Sequence, residues 1–226
     1  MSERDDDIFL SRRSVRGFLK TPVSRSLLIE ILTCARAAPS GANLQPGKFH
    51  VFSGAPLRRL SDTIVAGETS GAPHAAEYSY FPNPMPPELK ELQRKAGYAL
   101  YGAIGIERRD VEGRRAQFMR NYRFFDAPVG IVVTIRRDMG KGCFMDLGMA
   151  LQNLLLAAHA RGVGACGIGA LANHGPLIHD HLKLPDDEMV VCGIALGYAD
   201  PNHPANSTRT DRLSIEEFSD FHGFED

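Results

Sequence analysis

The stretch CFMDLGMALQNLLLAAHAR, residues 143–161, sets the architecture of the chain. It has helical length and is apolar on nearly every side, so it needs cover all round and is expected to be buried on most sides. Gln152, Asn153 and His159 interrupt it well short of a membrane span. A domain of this size rarely covers such a helix by itself, so a partner subunit is expected to supply one side. Continuous apolar, β-branched runs at residues 129–135 and 189–198 read as buried strands.

Other elements follow from caps and periodicity. Ser24 caps a helix over residues 26–37, with Leu27, Leu28, Ile31, Leu32 and Ala35 on one face. Pro39 ends it, and the loop Pro39-Ser40-Gly41-Ala42-Asn43-Leu44-Gln45-Pro46 leads to an alternating strand, Lys48–Ser53. Further helices are expected over residues 8–11, 57–65, 88–105, 114–121 and 176–182, a short strand over 164–168, and a helical turn near 215–218. Residues 1–226 form a single domain. Within it, 69–125 is too long for a structureless connection and reads as a lid or substrate-binding excursion.

Composition narrows the function. The 226 residues carry 26 Lys and Arg against 27 Asp and Glu, a net charge of -1, so no global basic field recruits nucleic acid. Hydrophobic residues at 43% and charged residues at 23% are ordinary for a globular protein and disfavour disorder. The acidic opening Met1-Ser2-Glu3-Arg4-Asp5-Asp6-Asp7 does not read as a signal peptide. Cys34, Cys143, Cys166 and Cys192 form no C-x-x-C pair and read as free buried thiols, which points to the cytoplasm.

Charge is nevertheless uneven. Arg12-Arg13-Ser14-Val15-Arg16 places three guanidiniums and a hydroxyl within five residues, a cradle suited to phosphate oxygens. The bland alternative is a solvated basic face, against which Val15 and Phe18 argue for partial packing. The loop at residues 39–46 is small enough to approach a flat ring, and Ser40, Asn43 and Gln45 offer donors and acceptors to a heteroaromatic edge. Residues 162–169 match G-x-G-x-x-G, but these glycines follow a helix and enter a strand. That order is the reverse of a dinucleotide fingerprint and excludes it. Arg209 and Arg212 join the phosphate cradle if the tail returns to it. His179 and His181 stand at i, i+2, so they do not share a helix face; surface histidines and no metal site are expected. No nucleophile elbow or carboxylate pair is evident.

In this order, Arg12 to Arg16, Ala38 to Pro46, Ile194-Ala195-Leu196-Gly197-Tyr198 and Arg212-Leu213-Ser214-Ile215-Glu216-Glu217 resemble the FMN-dependent nitroreductase superfamily, in particular its nitrobenzoate-reductase-like members. The resemblance implies an α+β, three-layer fold: a central, mostly antiparallel mixed sheet flanked by helices, in an intertwined homodimer with FMN at the interface. It implies that Arg12, Arg13 and Ser14 hold the phosphate and ribityl end and that Arg16 reaches N1/O2 of the ring. Ser40, Gly41 and Asn43 then face the ring from the partner chain, with Gln45 at its polar edge. Ile168, Gly169 and Ala170 lie along the ring near N5. Arg212, with Arg209, closes on the phosphate, and the tail over 200–226 closes on FMN or the partner subunit.

The implied chemistry is hydride transfer from NADH or NADPH through flavin N5 to a nitroaromatic, nitrobenzoate-like or quinone acceptor. Substrate contacts are expected in the excursion, from Tyr101, Arg115, Arg120 and Phe124. Tyr78, Tyr80, Phe81, Tyr98 and Phe125 there are also able to stack on a substrate ring, although most of these aromatics are expected to pack the lid onto its own domain. Two residues depart from the family pattern. Gly47 stands where many relatives carry Trp and is expected to loosen packing under the loop; Ser214 replaces a proline. Reductive dehalogenation of iodotyrosine-like substrates on the same fold, and a non-catalytic flavin-binding module, are the alternative readings.

Overall fold

The computed structural model describes residues 3–224. Helices α1 (Glu3–Ser11) and α2 (Arg25–Arg36) precede β1 (Lys48–Ser53) and α3 (Gly54–Thr69). The excursion carries α4 (Pro87–Ala103) and α5 (Val111–Met119) before β2 (Val129–Arg136). Then come α6 (Lys141–Ala160), β3 (Gly164–Ile168), α7 (Gly175–Leu182), β4 (Glu188–Gly197) and α8 (Ile215–Phe218).

The four strands form one sheet in the order β1-β2-β4-β3, antiparallel throughout. The parallel component is an isolated bridge between Ser14 and Ala165. On one face, Val129, Ile131, Val133 and Ile135 of β2 meet Ile31 and Ala35 of α2 and Leu147, Leu154, Ala157 and Ala158 of α6. On the other, Val132 meets Leu57, Leu60 and Ile64 of α3, Ile178 of α7, and Tyr122, Phe124 and Phe125. This is the expected three-layer α+β fold, and the β-branched runs make its middle layer because both of their faces are covered.

A bulge reverses the strand periodicity in β4. The register passes from Val133 opposite Cys192 to Thr134 opposite Val190, leaving Val191 unmatched. Consequently Met189 and Val191 share a face with Ile194 and Leu196, across a change of parity. The carbonyl of Val191 accepts a 2.6 Å hydrogen bond from the Tyr78 hydroxyl, so the excursion is pinned to the sheet at its irregular point.

Several expectations need correction. Within one chain the α6 helix leaves Met145 70% and Met149 39% exposed, because the sheet and α2 cover one face only; this is the side for which cover by a partner subunit is expected. The helix expected at 114–121 starts at Val111 and ends at Met119, then passes into a 3-10 turn over Arg120–Asp126. The α3 helix runs from Gly54 to Thr69, well beyond 57–65. Gly47 does not loosen the loop. At φ 98° it lets the chain close on Leu147, whose Cδ1 would lie 2.5 Å from any Cβ there. His179 and His181 are half-buried rather than surface residues, and their partners differ: Pro185 O at 3.0 Å for one ring and Thr63 Oγ1 at 3.0 Å for the other.

Candidate functional site

The site begins at the bend after α1. Val15 is buried, and its N–H donates to Ala165 O at 3.0 Å, which stitches the arginine segment to the open edge of β3. Arg12 and Arg13 line a cleft of about 270 Å³ with Ser11, His159, Gly162 and Gly164. Among residues 7–224, no carboxylate lies within ion-pair distance of Arg12, Arg13 or Arg16. Two guanidiniums on a glycine-lined cleft, with Arg16 further along the same bend, fit a phosphate-bearing ligand. Cys166 records their proximity. Burial pushes its thiol up, while the Arg16 and Arg12 charges and the Ser14 hydroxyl act in the opposite direction.

A residue that the motif reading does not include holds this bend. Asn206, 5% exposed, accepts from the N–H of Arg16 at 2.9 Å and of Gly17 at 3.2 Å, and donates to Gly17 O at 2.8 Å and Asp200 O at 2.9 Å. Beside it, the His203 ring lies against Gly17 so closely that a Cβ there would fall 2.0 Å from Cγ. Nothing in the spacing of residues 16 and 206 signals this contact, because the link is purely tertiary.

Gly169 and Ala170 open a 3-10 turn, Gly169–His174, directly after β3. Ile168 is 1% exposed with its side chain in the core, so only its backbone is offered to a ligand. The ring of Tyr80 covers Gly169: a Cβ there would meet Tyr80 Cε2 at 2.9 Å. Tyr80 stacks edge-on against Phe81 at 4.8 Å between centroids, and the two are 63% and 55% exposed. The expectation that such aromatics pack the lid therefore holds for Tyr78 and not for this pair.

The loop holding Ser40, Gly41, Asn43 and Gln45 lies elsewhere. It is fastened by Gly41 N to Asp146 Oδ2 at 3.1 Å and by Gln45 N to Ser40 Oγ at 2.9 Å. Gln45 Nε2 donates to Asn43 O at 3.2 Å. Ala42, Asn43 and Gln45 take φ values of 49°, 57° and 50°, left-handed conformations uncommon outside glycine and asparagine. Asp146 and His159 mark the two ends of α6, about 20 Å apart at a helical rise of ~1.5 Å per residue. Within one chain, the arginine bend and this loop therefore do not come together.

Other sequence-based candidates divide. Phe124 is fully buried in the core at φ 50° and is not a substrate contact; a bulky ring in a variable segment reads alike whether it faces core or ligand. Arg120 is committed to His203 Nε2 at 3.2 Å and Asp126 at 3.5 Å. Arg115 is exposed, and Tyr101 carries the Arg114 guanidinium 5.8 Å from its ring centroid. Arg209 donates to Asn206 O at 3.2 Å, beside the bend. Arg212 instead bonds its own turn, at Thr210 and Asp211, and does not close the cradle within this chain. Ser214 explains its departure from proline. It caps α8 in a reciprocal box with Glu217, using a backbone N–H that proline lacks. The tail beyond it leaves Ile215, Phe218, Phe221 and Phe224 exposed.

The nitroreductase family profile matches residues 10–198. A 4-nitrobenzoate reductase of Pseudomonas putida is 40% identical over 97% of this chain and 96% of its own length. The crystal structure of the FMN- and NADPH-dependent nitroreductase NfnB from Sphingopyxis sp. strain HMH superposes with a TM-score of 0.94 at 35% identity, covering 97% of this chain and 99% of that one. The FMN-dependent NfnB of Mycobacterium smegmatis, in complex with NADPH, gives 0.91 at 26% identity, covering 96% and 97%.

Proposed function

The chain belongs to the nitroreductase family, and on that footing we propose that it reduces nitroaromatic acids of the nitrobenzoate class with NADPH or NADH. It is an FMN-dependent enzyme. The chemistry FMN supplies when bound is two-electron transfer from NAD(P)H to the acceptor.

The protein's part is grip, orientation and field. Arg12 and Arg13 hold the phosphate, and Ser14, fixed by its bridge to Ala165, adds a hydroxyl. Arg16, immobilised through Asn206, offers positive charge to the edge of the ring that gains electron density on reduction. Gly169 and Ala170 present bare backbone beside it. Tyr80 and Phe81 give an exposed aromatic wall for the acceptor, and Arg115 is a guanidinium left for its carboxylate, since Arg120 is engaged. Ser40, Gly41, Asn43 and Gln45 act on the flavin of a second subunit, a reading that the separation of the bend and the loop along α6 supports. The homodimer also covers the exposed side of α6 and the apolar tail. No described helix is long and apolar enough to cross a membrane, and we place the enzyme in the cytoplasm.

The observation that carries this reading is the arginine segment stitched to β3 beside a glycine-lined cleft. The purified protein is expected to show flavin absorbance that NADPH or NADH bleaches and 4-nitrobenzoate restores. Protein that stays colourless after incubation with FMN contradicts the reading. Equal kcat/KM for nitrobenzene and 4-nitrobenzoate contradicts the acid preference alone.

A further inference from the structure

Glu68, His74 and His174 come from three separate elements: the last turn of α3, the entry to the excursion, and the end of the 3-10 turn that begins at Gly169. Their ligand atoms lie within 4.8 Å of one another. His74 Nε2 and His174 Nε2 each stand 2.8 Å from the same oxygen, Glu68 Oε2. The rings meet edge to face with centroids 5.2 Å apart, so both nitrogens converge on one point. The sequence gives no hint of this, since His174 is a hundred residues from its neighbours in space.

We propose that Glu68, His74 and His174 form a binding site for a divalent transition-metal ion of the zinc class, with a structural role at the base of the lid. The donor set is two imidazoles and a carboxylate, a combination zinc accepts with one further position open to water. A tetrahedral ion with ligands ~2.0–2.2 Å away holds those ligands roughly 3.3–3.5 Å apart. The observed spread, 2.8 to 4.8 Å, brackets that value and needs only small side-chain rotations.

Charge points the same way. The Glu68 side chain is only 18% exposed, and among the described residues no Lys or Arg pairs with it. Its compensating charge must therefore come from a proton on a histidine or from a bound cation. The His174 side chain is fully buried and its Nδ1 has no hydrogen-bond partner, so the ring's polar contact runs through Nε2, the nitrogen that faces Glu68. His74 is half-exposed, which leaves an entry path.

Such an ion would tie the excursion to the shelf that carries Gly169 and Ala170. A backbone bond, Ala75 N to Asn173 O at 2.9 Å, already runs beside it. The site is independent of the phosphate cradle.

The full-length protein as purified is stripped with a chelator, desalted, and titrated with Co²⁺ and then Zn²⁺, alongside His74→Gln and Glu68→Gln. One Co²⁺ per chain is expected, with a visible d–d absorption band that Zn²⁺ abolishes. Affinity is expected to fall at least about tenfold in each variant. Because His74 is half-exposed, His74→Gln is expected to keep wild-type circular dichroism and flavin content, and Zn²⁺ should raise Tm in the wild type alone. Substoichiometric binding, or stoichiometric binding unchanged in His74→Gln, would overturn the proposal and leave a hydrogen-bonded cluster without a metal.

Discussion

The arginine bend and the loop Ser40–Gln45 are both polar, both short, and both lie against α6. They differ in how the chain holds them. The bend is clamped by Asn206, by the bridge to β3 and by His203 against Gly17. The loop is exposed, carries three left-handed non-glycine residues within four positions, and is tied down by few bonds. One half-site is finished within the chain. The other is pre-shaped but faces outward, as expected of a surface completed by a second subunit.

Matched substitutions test this contrast. Gly17→Val drives a side chain into the His203 ring and is expected to cost about 3 kcal/mol or more in urea unfolding. Gly41→Ala, whose nearest neighbour would be 3.7 Å away, should be close to neutral. Equal effects would mean the bend is no more rigid than the loop. Asn206→Ala removes four hydrogen bonds from a buried turn and is expected to destabilise by about 2–3 kcal/mol and to weaken FMN retention. Ser40→Ala, losing one exposed bond, should cost roughly 0.5–1 kcal/mol.

Arg16→Ala is expected to weaken FMN binding roughly 10- to 100-fold, with a shallower salt dependence, while leaving Tm of the flavin-free protein nearly unchanged. A large fall in that Tm would make Arg16 a structural residue. The smallest effect is on pH. Burial, aided by the Arg120 charge, holds His203 below its ordinary pKa, and burial does the same for His50. The unfolded chain therefore takes up these protons at higher pH than the folded one. Their contribution to stability is complete above the ordinary histidine value of about 6.5 and is lost as pH falls through the folded values. His203→Gln should flatten that acid limb, measured as Tm between pH 7.5 and 5.5.

Much of the frame was legible from the residues. Runs of β-branched side chains at 129–135 and 189–198 can be buried only between two layers, and Ser24 marked its helix because its hydroxyl satisfies Leu27 N–H. What failed depended on contacts distant in sequence. Phe124 and Phe125 sit at positive φ, which no local pattern announces for bulky residues, so a core ring read as a ligand contact. The parity change at Val191 is a single extra residue, invisible to periodicity. Of the candidate site, the arginines were readable as a motif, but Asn206, which clamps the backbone at Arg16 and Gly17, and the cover of Gly169 by Tyr80 were not.

The most direct measurement uses mixed dimers. One chain carries Arg12→Ala with Arg16→Ala, the other Asn43→Ala with Gln45→Ala, and differently tagged heterodimers are isolated. If each flavin is held by the bend of one chain and the loop of the other, the heterodimer has one intact site: about one FMN per dimer and half the wild-type nitrobenzoate reductase activity, from two chains that are each deficient as homodimers. A heterodimer as deficient as its parents would show that both half-sites act within one chain, and the account would be wrong.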